Sequence, residues 1–181
     1  KFLYGRAFRA PSFAEMFTIN NPVIQGNKAL DPEVINTYEI AFDYQPRYNL
    51  RTGLNIFYYK IEDQIEFVAD PNLTSPIAKN VGEQEGRGFE VEGRWDISST
   101  LSMNGNYAYQ KTEDTNGEPS PNSPENQAYL ELVWKFMPSW FASTQGSWIG
   151  DINRSQDDSR DNVDNYTLIN LTLGCQCLTP Q

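Results

Sequence analysis

Hydrophobic and polar residues alternate at every second position over several segments of the chain. In residues 37–44 the apolar side chains occupy the even positions, and residues 88–97, 101–110 and 127–136 repeat this alternation. A period of two places successive side chains on opposite faces of a β-strand. The pattern therefore predicts an all-β chain of about eight antiparallel strands.

The links between these segments alternate in length along the chain. Short turns are expected at 46–49, 98–100 and 137–139, and long polar links at 10–36, 70–80, 112–125 and 151–165. Transmembrane barrels have short turns at one end and long loops at the other. A soluble sandwich meets water at both ends and has no reason to sort its loops in this way. We therefore expect an antiparallel up-and-down transmembrane β-barrel, of which this chain is a partial barrel.

Charged side chains lie opposite the apolar face of the predicted strands. The residues expected to face the lumen of the barrel are Glu39, Asp43, Glu90, Glu92 and Arg94. In such barrels the apolar set faces lipid and the polar set faces the lumen. Trp140 and Trp148 share the apolar face, and their spacing corresponds to about 20 Å along the membrane normal. They are expected to mark the two interfacial aromatic girdles; two ordinary core tryptophans are the alternative.

The segment 50–68 is longer than one membrane crossing requires, and its alternation changes phase. Leu54 and Ile56 share one parity, whereas Ile61 and Ile65 share the other. A β-bulge near residues 58–59 would produce this change. A strand that leaves the membrane and continues as a hairpin would produce it as well.

Composition and charge narrow the possible partners. The chain has 181 residues, with 24 Asp plus Glu against 14 Lys plus Arg. This acidic balance argues against nucleic acid as a partner. No stretch has the long apolar run of a transmembrane helix, a feature that barrel strands do not need. The first residue is Lys1 and no signal peptide follows it, so we expect an internal piece of a longer protein.

Candidate chemistry is sparse. The chain contains no His, which excludes the usual Ser-His and Cys-His pairs. Cys175 and Cys177 alone make a poor metal site, and on an extended strand their spacing is too wide for an unstrained disulfide. Carboxylate pairs such as Glu90 and Glu92 are explained by strand alternation rather than by glycosidase chemistry. We therefore expect no enzyme activity, no bound cofactor and no metal site.

An acidic stretch in the last long link contains the candidate substrate-binding residues. These are Arg154, Asp157, Asp158, Arg160 and Asp161. The stretch lacks the spacing and the Gly of an EF-hand, and a solvated loop is its simpler interpretation. If the loop contacts the substrate, its negative net charge disfavours binding of an anionic chelate unless the positive charges of the two arginines dominate locally.

Several motifs resemble one family of outer-membrane proteins. Residues 4–17, YGRAFRAPSFAEMF, resemble a barrel motif of TonB-dependent receptors. The segments GNKALDPE (26–33), TYEIAF (37–42), LNIFYYKIEDQI (54–65) and NVG through GRGFEVE (80–92) follow in that family's order. Together these segments cover most of the chain up to about residue 173. One of them alone would be a weak signal.

The resemblance implies a barrel of about 22 strands around a plug domain. Such receptors take up ferric siderophores, cobalamin or similar scarce nutrients, with energy delivered by the TonB-ExbB-ExbD system. This chain would supply barrel wall and loops, with residues 1–181 a fragment that lacks the plug and the earlier strands. The tail at 174–181 departs from the family, because it does not resemble the usual closing strand with its terminal aromatic residue.

Two other functions agree with part of the pattern. A small self-contained outer-membrane barrel, serving as an adhesin or structural protein, suits about eight strands but not the order of the motifs. A soluble β-sandwich that binds carbohydrate would use the surface aromatics as ligand platforms. Dependence of solubility on detergent separates this last possibility from the two membrane proteins.

Overall fold

A computed structural model describes residues 1–155 and 158–175 of the chain. Within these residues the strands are β1 (Phe2–Arg9), β2 (Glu33–Arg47), β3 (Leu50–Val68), β4 (Ile77–Asp96), β5 (Leu101–Asp114), β6 (Pro124–Met137), β7 (Trp140–Ile152) and β8 (Tyr166–Cys175), with one helix, α1 (Phe13–Phe17). Each strand pairs antiparallel with the next one in sequence, in a single sheet that runs from β1 to β8. The expected all-β, up-and-down architecture is confirmed.

The loops are sorted as the sequence predicts. Short turns join β2 to β3, β4 to β5 and β6 to β7 at one end of the sheet, which we call the short-turn end. The long links lie at the opposite, long-loop end, and β2 and β4 extend further towards that end than the alternation indicates. The β3–β4 hairpin is the longest, with strands of 19 and 20 residues.

The predicted β-bulge near residues 58–59 is wrong. Tyr58 and Tyr59 pair in regular register with Arg87 and Gly86 on β4. The register shifts lie between Ile61 and Ile65, where Asp63 adopts a positive φ of 58°. The strand therefore changes phase later, in the part of the hairpin that extends beyond β2, which agrees with the continuing-hairpin alternative.

The register sorts the side chains onto two faces of the sheet. The apolar face contains Tyr38, Ile40, Phe42, Val91, Trp95, Leu130, Trp134, Trp148, Ile169, Leu171 and Leu173. Much of this face is open: Leu130 and Trp134 are each 53% exposed and Leu171 is 80% exposed. A continuous exposed apolar surface of this kind marks a contact with another apolar phase or partner.

A small core lies at the long-loop end, where the β1–β2 loop packs on the β3–β4 hairpin. Leu30, Ile65 and Ala78 are buried there, and Met16 of α1 packs against them. Gln25 adds backbone hydrogen bonds, because its amide donates to the Pro76 carbonyl at 2.7 Å and its carbonyl accepts from Ala78 N at 3.0 Å. The β1–β2 loop is therefore ordered and packs against the long-loop end of the sheet.

Two aromatic rings on β3 lie over glycines of β4. A Cβ atom at Gly86 would overlap the Tyr59 ring, and one at Gly88 would overlap the Tyr109 carbonyl oxygen and approach the Phe57 ring to 2.8 Å. The rings of Phe57 and Tyr59 stack with centroids 6.5 Å apart. The glycines thus make room for close packing between β3, β4 and β5.

Replacement of Gly88 by Ala is expected to destabilise the sheet by about 2–3 kcal/mol, as overpacking does. The reason is that the new Cβ would meet a backbone oxygen that cannot move aside without disturbing β5. Gly93→Ala is the matched control, because its nearest atom, the Arg51 carbonyl oxygen, lies 3.8 Å away. Urea unfolding of both variants checks this, and equal midpoints would contradict it.

Cys175, at the end of β8, is disulfide-bonded. The prediction about the spacing of Cys175 and Cys177 involves Cys177, which lies outside the described residues. Among the described residues, no helix has the length and apolarity needed to cross a membrane.

Candidate functional site

Four carboxylates lie on the polar face of the sheet, on β2 and β4 on either side of β3. We call them the acidic frame: Glu39, Asp43, Glu90 and Glu92. The register pairs Asp43 with Gly53, and Gly53 with Glu92, so β3 separates the two acids of one row. In the neighbouring row, β3 contributes Asn55 opposite Glu90. The structure thus brings together four of the residues that were predicted to share the lumenal side.

Asp43, Glu90 and Glu92 of the acidic frame line a recess of about 410 Å³, together with Ala41, Gly53, Asn55 and Ala108. Glu92 bends across β3, because its Cγ and Oε1 atoms lie 2.9 Å from the position of a Cβ on Gly53. Asn55 Nδ2 donates to Glu39 Oε2 at 3.1 Å. The Asn55 Oδ1 atom is buried and accepts no hydrogen bond from any described residue.

Positive charges near the acidic frame are few and exposed. Lys1 Nζ lies 3.3 Å from Asp43 Oδ2, and both side chains are about three-quarters exposed. Arg94, the fifth predicted lumenal residue, lies opposite Arg51 one row towards the short-turn end, and its Nη2 is 3.8 Å from Asp96. Among the described residues, no cationic group lies within 4 Å of Glu39, Glu90 or Glu92.

A fifth carboxylate on the polar face has its partners within the sheet. Glu131 accepts hydrogen bonds from Asn104 Nδ2 at 2.5 Å, Gln145 Nε2 at 2.8 Å and Ser143 Oγ at 3.4 Å. These donors come from β5 and β7, the two neighbours of β6. Glu131 is therefore a structural acid, in contrast to the acidic frame.

The predicted substrate-binding residues of the β7–β8 loop form an ion-pair cluster. Asp158 Oδ2 lies 2.6 Å from Arg160 Nη2 and 3.4 Å from Arg154 Nη1. The Arg154 Nε atom also donates to the Asp161 carbonyl at 2.7 Å. The Arg160 guanidinium lowers the pKa of Asp158 to about 2. Asp157 lies outside the described residues, and none of the described acids group closely enough with others to hold a metal ion.

A second charged cluster, at the long-loop end, was not predicted. Arg9 on β1 bonds Glu33 on β2 at 2.5 and 2.6 Å and Glu15 on α1 at 3.1 Å. The Glu33 carboxylate also accepts from the Ile65 amide at 2.8 Å. Ser12 and Glu15 form a capping box at the start of α1. That Ser-x-x-Glu spacing was the available sequence signal, but the Arg9 contact depends on tertiary structure.

A family model for TonB dependent receptor-like β-barrels matches residues 2–176 of the chain. The match covers nearly all of the sheet. The chain belongs to the TonB-dependent receptor β-barrel family. Its single unclosed sheet of eight antiparallel strands is a partial TonB-dependent receptor barrel.

A curated relative of this TonB-dependent receptor barrel is the metal-pseudopaline receptor CntO of Pseudomonas aeruginosa. The two are 24% identical over 168 residues, a region that covers 87% of this chain and 23% of the relative. The chain therefore spans about a quarter of the length of the curated relative it matches.

Solved structures of TonB-dependent receptors share this fold. The ferric-catecholate import receptor Fiu from K12 E. coli matches with a TM-score of 0.74 at 19% identity, covering 96% of this chain and 26% of that one. The siderophore receptor PirA from Acinetobacter baumannii matches with a TM-score of 0.75 at 15% identity, covering 95% and 32%. The relatives named here are receptors, so the expectation that the chain is not an enzyme has support at the level of the family.

The Arg9 cluster predicts that the stability of the β1–β2 loop in this TonB-dependent receptor barrel decreases at acidic pH. Hydrogen bonds from Arg9 lower the pKa of Glu15 to about 2, below its unfolded value of about 4.3. The Glu15 carboxylate thus stabilises the loop above about pH 4.3, and this contribution is lost as the pH falls towards 2. Hydrogen exchange of residues 12–18, corrected for intrinsic rates, should lose protection between about pH 5 and pH 2. Glu15→Gln should weaken this dependence, and an unchanged profile in that variant would contradict the assignment.

Proposed function

We propose that this chain is barrel wall and outer loops of a receptor that imports a scarce nutrient across the outer membrane of a Gram-negative bacterium. The observation that carries the proposal is the open sheet with one exposed apolar face and one polar face, in a chain of this family. In the proposal residues 1–181 form part of a larger barrel. The apolar face contacts lipid, and the polar face, with the acidic frame and Arg94, lines the lumen.

The aromatic residues of the apolar face support this placement. Tyr4, Tyr38 and Tyr58 lie side by side near the long-loop end, with ring centroids 5.2 and 6.4 Å apart. Trp134 and Phe136 pack together near the short-turn end at 5.6 Å. Amphipathic aromatic rings collect at the two interfaces of a bilayer. The tyrosine group, with Trp148 on β7, is suited to the girdle at the outer face of the outer membrane. The Trp134 and Phe136 group, with Trp140 on β7, is suited to the girdle at the periplasmic face of the same membrane.

The proposed mechanism is capture of the nutrient by the outer loops, followed by rearrangement of a plug driven by the TonB-ExbB-ExbD system. The structured β1–β2 loop and the extended β3–β4 hairpin present a firm outer surface for the first step. The residues Arg154, Asp158, Arg160 and Asp161 are the loop candidates for contact with the nutrient, together with Asp157.

The proposed cargo is a metal chelate, most simply a ferric siderophore. The support is that the named relatives carry metal-pseudopaline, ferric-catecholate and siderophore in their descriptions; a cobalamin-like nutrient is the second candidate. Both arginines of the β7–β8 loop are engaged with Asp158. Residues 151–165 carry five aspartates against these two arginines, so the net charge of this segment is negative, which favours neutral over anionic chelates at this loop.

Uptake measurements test the proposed function. The gene for the complete receptor would be deleted, and uptake of radiolabelled iron on neutral and anionic siderophores, and of labelled cobalamin, would be followed with and without TonB. The proposal predicts that one class of nutrient loses TonB-dependent uptake and regains it with the restored gene. Uptake that continues without TonB would point to the self-contained barrel. Solubility without detergent and binding to a glycan panel would point to the carbohydrate-binding sandwich.

A further inference from the structure

The outer half of the β3–β4 hairpin has no strand of the sheet on either side. β2 pairs with β3 only as far as Glu62, and β5 pairs with β4 only from Gln84 onward. Residues 63–83 therefore project beyond both neighbouring strands. A hairpin of two strands is at best marginally stable by itself in water, so this part of the chain needs another segment to pack against.

The β1–β2 loop takes the place of the missing neighbour strand. Gln25 forms a parallel bridge with Ile77 of β4. The Gln25 amide donates to the Pro76 carbonyl at 2.7 Å, and the Gln25 carbonyl accepts from the Ala78 amide at 3.0 Å. The Asn27 side chain continues the contact, because its Nδ2 atom donates to the Ala78 carbonyl at 3.1 Å. The loop thus supplies β4 with hydrogen bonds of the kind that a strand would make.

Side chains hold this contact at both of its ends. At one end Asn80 Oδ1 accepts from the Asp31 amide at 2.9 Å, and Asn80 Nδ2 donates to the carbonyls of Asp31 at 2.9 Å and Asp63 at 2.7 Å. At the other end Ser75, which is 3% exposed, donates from Oγ to the Asn21 carbonyl at 3.2 Å. The small core of buried residues packs beside the contact. Loop and hairpin are therefore joined along the whole of this edge.

An irregular stretch of the hairpin separates the joined segments from the rest of the sheet. Asp63 has a positive φ of 58°, and the register between β3 and β4 shifts on both sides of Gln64. The partner of Gln64 is Gly82, where a Cβ atom would lie 2.3 Å from Glu66 Oε1. Irregularities of this kind interrupt the ladder of hydrogen bonds and bend the strand. A change of angle between the hairpin and the wall is therefore easiest at this level.

We propose that residues 13–31 and 63–82 form one cooperative body, which we call the outer unit. Separation of the loop from the hairpin would break the bonds of Gln25, Asn27 and Asn80 together and would expose the small core. Bending at residues 61–65 disturbs fewer contacts. The two segments of the outer unit therefore stay joined while the nutrient is captured, and any change in their position occurs at residues 61–65 and Gly82.

The role of the outer unit in capture rests on the proposed function, whereas the cooperation between its two segments does not. Cooperative units of this kind open as a whole, so the amides of both segments become accessible in the same event. The competing arrangement is a β1–β2 loop that detaches from the hairpin as a separate lid. The two arrangements differ in which amides exchange together, and in whether a covalent link between loop and hairpin blocks uptake.

Hydrogen exchange in the complete receptor tests the cooperation without any nutrient. Asn80→Ala removes three hydrogen bonds, so exchange of segments 21–27 and 75–80 should accelerate by the same factor, at least about tenfold. Asn72→Ala is the matched control, because the Asn72 side chain bonds Asp70 within the tip of the same hairpin, and both segments should keep their wild-type rates. Acceleration of the loop segment alone would overturn the proposal.

A reversible crosslink tests the role in capture. Neighbouring strands lie about 4.7–4.9 Å apart, within the range of Cα separations that a disulfide spans, so Gln25→Cys with Ile77→Cys should crosslink readily on oxidation. The wild type, in which Cys175 is already disulfide-bonded, is carried through the same oxidation and reduction as the control. Uptake of radiolabelled iron, supplied as a ferric siderophore, is then compared for the oxidised and reduced receptor.

We expect the crosslinked receptor to take up iron at the rate of the reduced one. Uptake that is lost on oxidation and restored by reductant in the double variant alone would overturn the proposal, because the loop would then have to leave the hairpin. Failure of the two cysteines to crosslink would overturn it as well. Absence of uptake in the reduced receptor and the wild type counts against the proposed function, and the exchange measurement then decides the proposal by itself.

Discussion

Replacement of Leu130 by Arg should weaken insertion of the barrel into the membrane. Leu130 lies mid-strand on the apolar face, between Gly105 of β5 and Gly146 of β7, and is 53% exposed. If that face meets lipid, an arginine there costs about 2–4 kcal/mol at the middle of the bilayer. The loss is a substantial fraction of the stability of most domains, which is about 5–15 kcal/mol. Folding into detergent micelles or vesicles, followed by gel mobility, measures it.

The matched control is Gln145→Arg on the polar face of the neighbouring strand. Its side chain faces the lumen in the proposed barrel, so the new charge can remain hydrated and insertion should continue. A soluble sandwich predicts the reverse order, because an arginine at an exposed apolar position improves contact with water. Normal insertion of Leu130→Arg would therefore contradict the assignment of the apolar face to lipid.

Replacement of Arg9 by Gln should release the β1–β2 loop from the long-loop end. The change leaves Glu15 and Glu33 without their cation, although their side chains are only 14% and 12% exposed. Loss of hydrogen bonds to charged groups of this kind costs about 2 kcal/mol. That cost corresponds to roughly thirtyfold faster opening of the loop. Hydrogen exchange of the amides in α1 is the direct measurement.

Arg6→Gln is the control for the loss of one positive charge on β1. Arg6 is three residues from Arg9 on the same strand, so it lies on the other face, and no ion pair of Arg6 is found among the described residues. We expect its exchange rates to stay near those of the wild type. Equal acceleration in both variants would show a general effect of charge rather than the Arg9 cluster. Reduced uptake with Arg9→Gln alone would connect loop order to capture of the nutrient.

Much of the sheet was predictable, because its main signals are local. Alternation places Glu39, Glu90 and Glu92 on one face, since a strand has a period of two regardless of its neighbours. The lengths of the links predicted which ends of the strands lie together, and antiparallel pairing followed from the short turns. The residues of β2 and β4 that were predicted to be lumenal lie on one face of the sheet, as the alternation indicated; their position in a lumen stays a prediction.

The features that sequence reasoning missed depend on contacts between distant segments. The register shift near Asp63 occurs where β3 extends beyond its pairing with β2, and no local sequence pattern marks the residue at which that pairing ends. Arg9 meets Glu33 because β1 pairs with β2 across a long loop. The recess at Gly53 is visible only when three strands are aligned in register, which brings acids of β2 and β4 to either side of a glycine.

The central claim is that this sheet is a barrel wall with lipid on its apolar face. Single cysteines would be placed at consecutive positions from Ala128 to Trp134 of β6 in the complete receptor and labelled with a fluorophore. Quenching by brominated lipid would then be measured at each position. A lipid-facing apolar surface predicts strong quenching at Ala128, Leu130, Leu132 and Trp134 and weak quenching at the positions between them. Uniform quenching, or none along the strand, would contradict the claim.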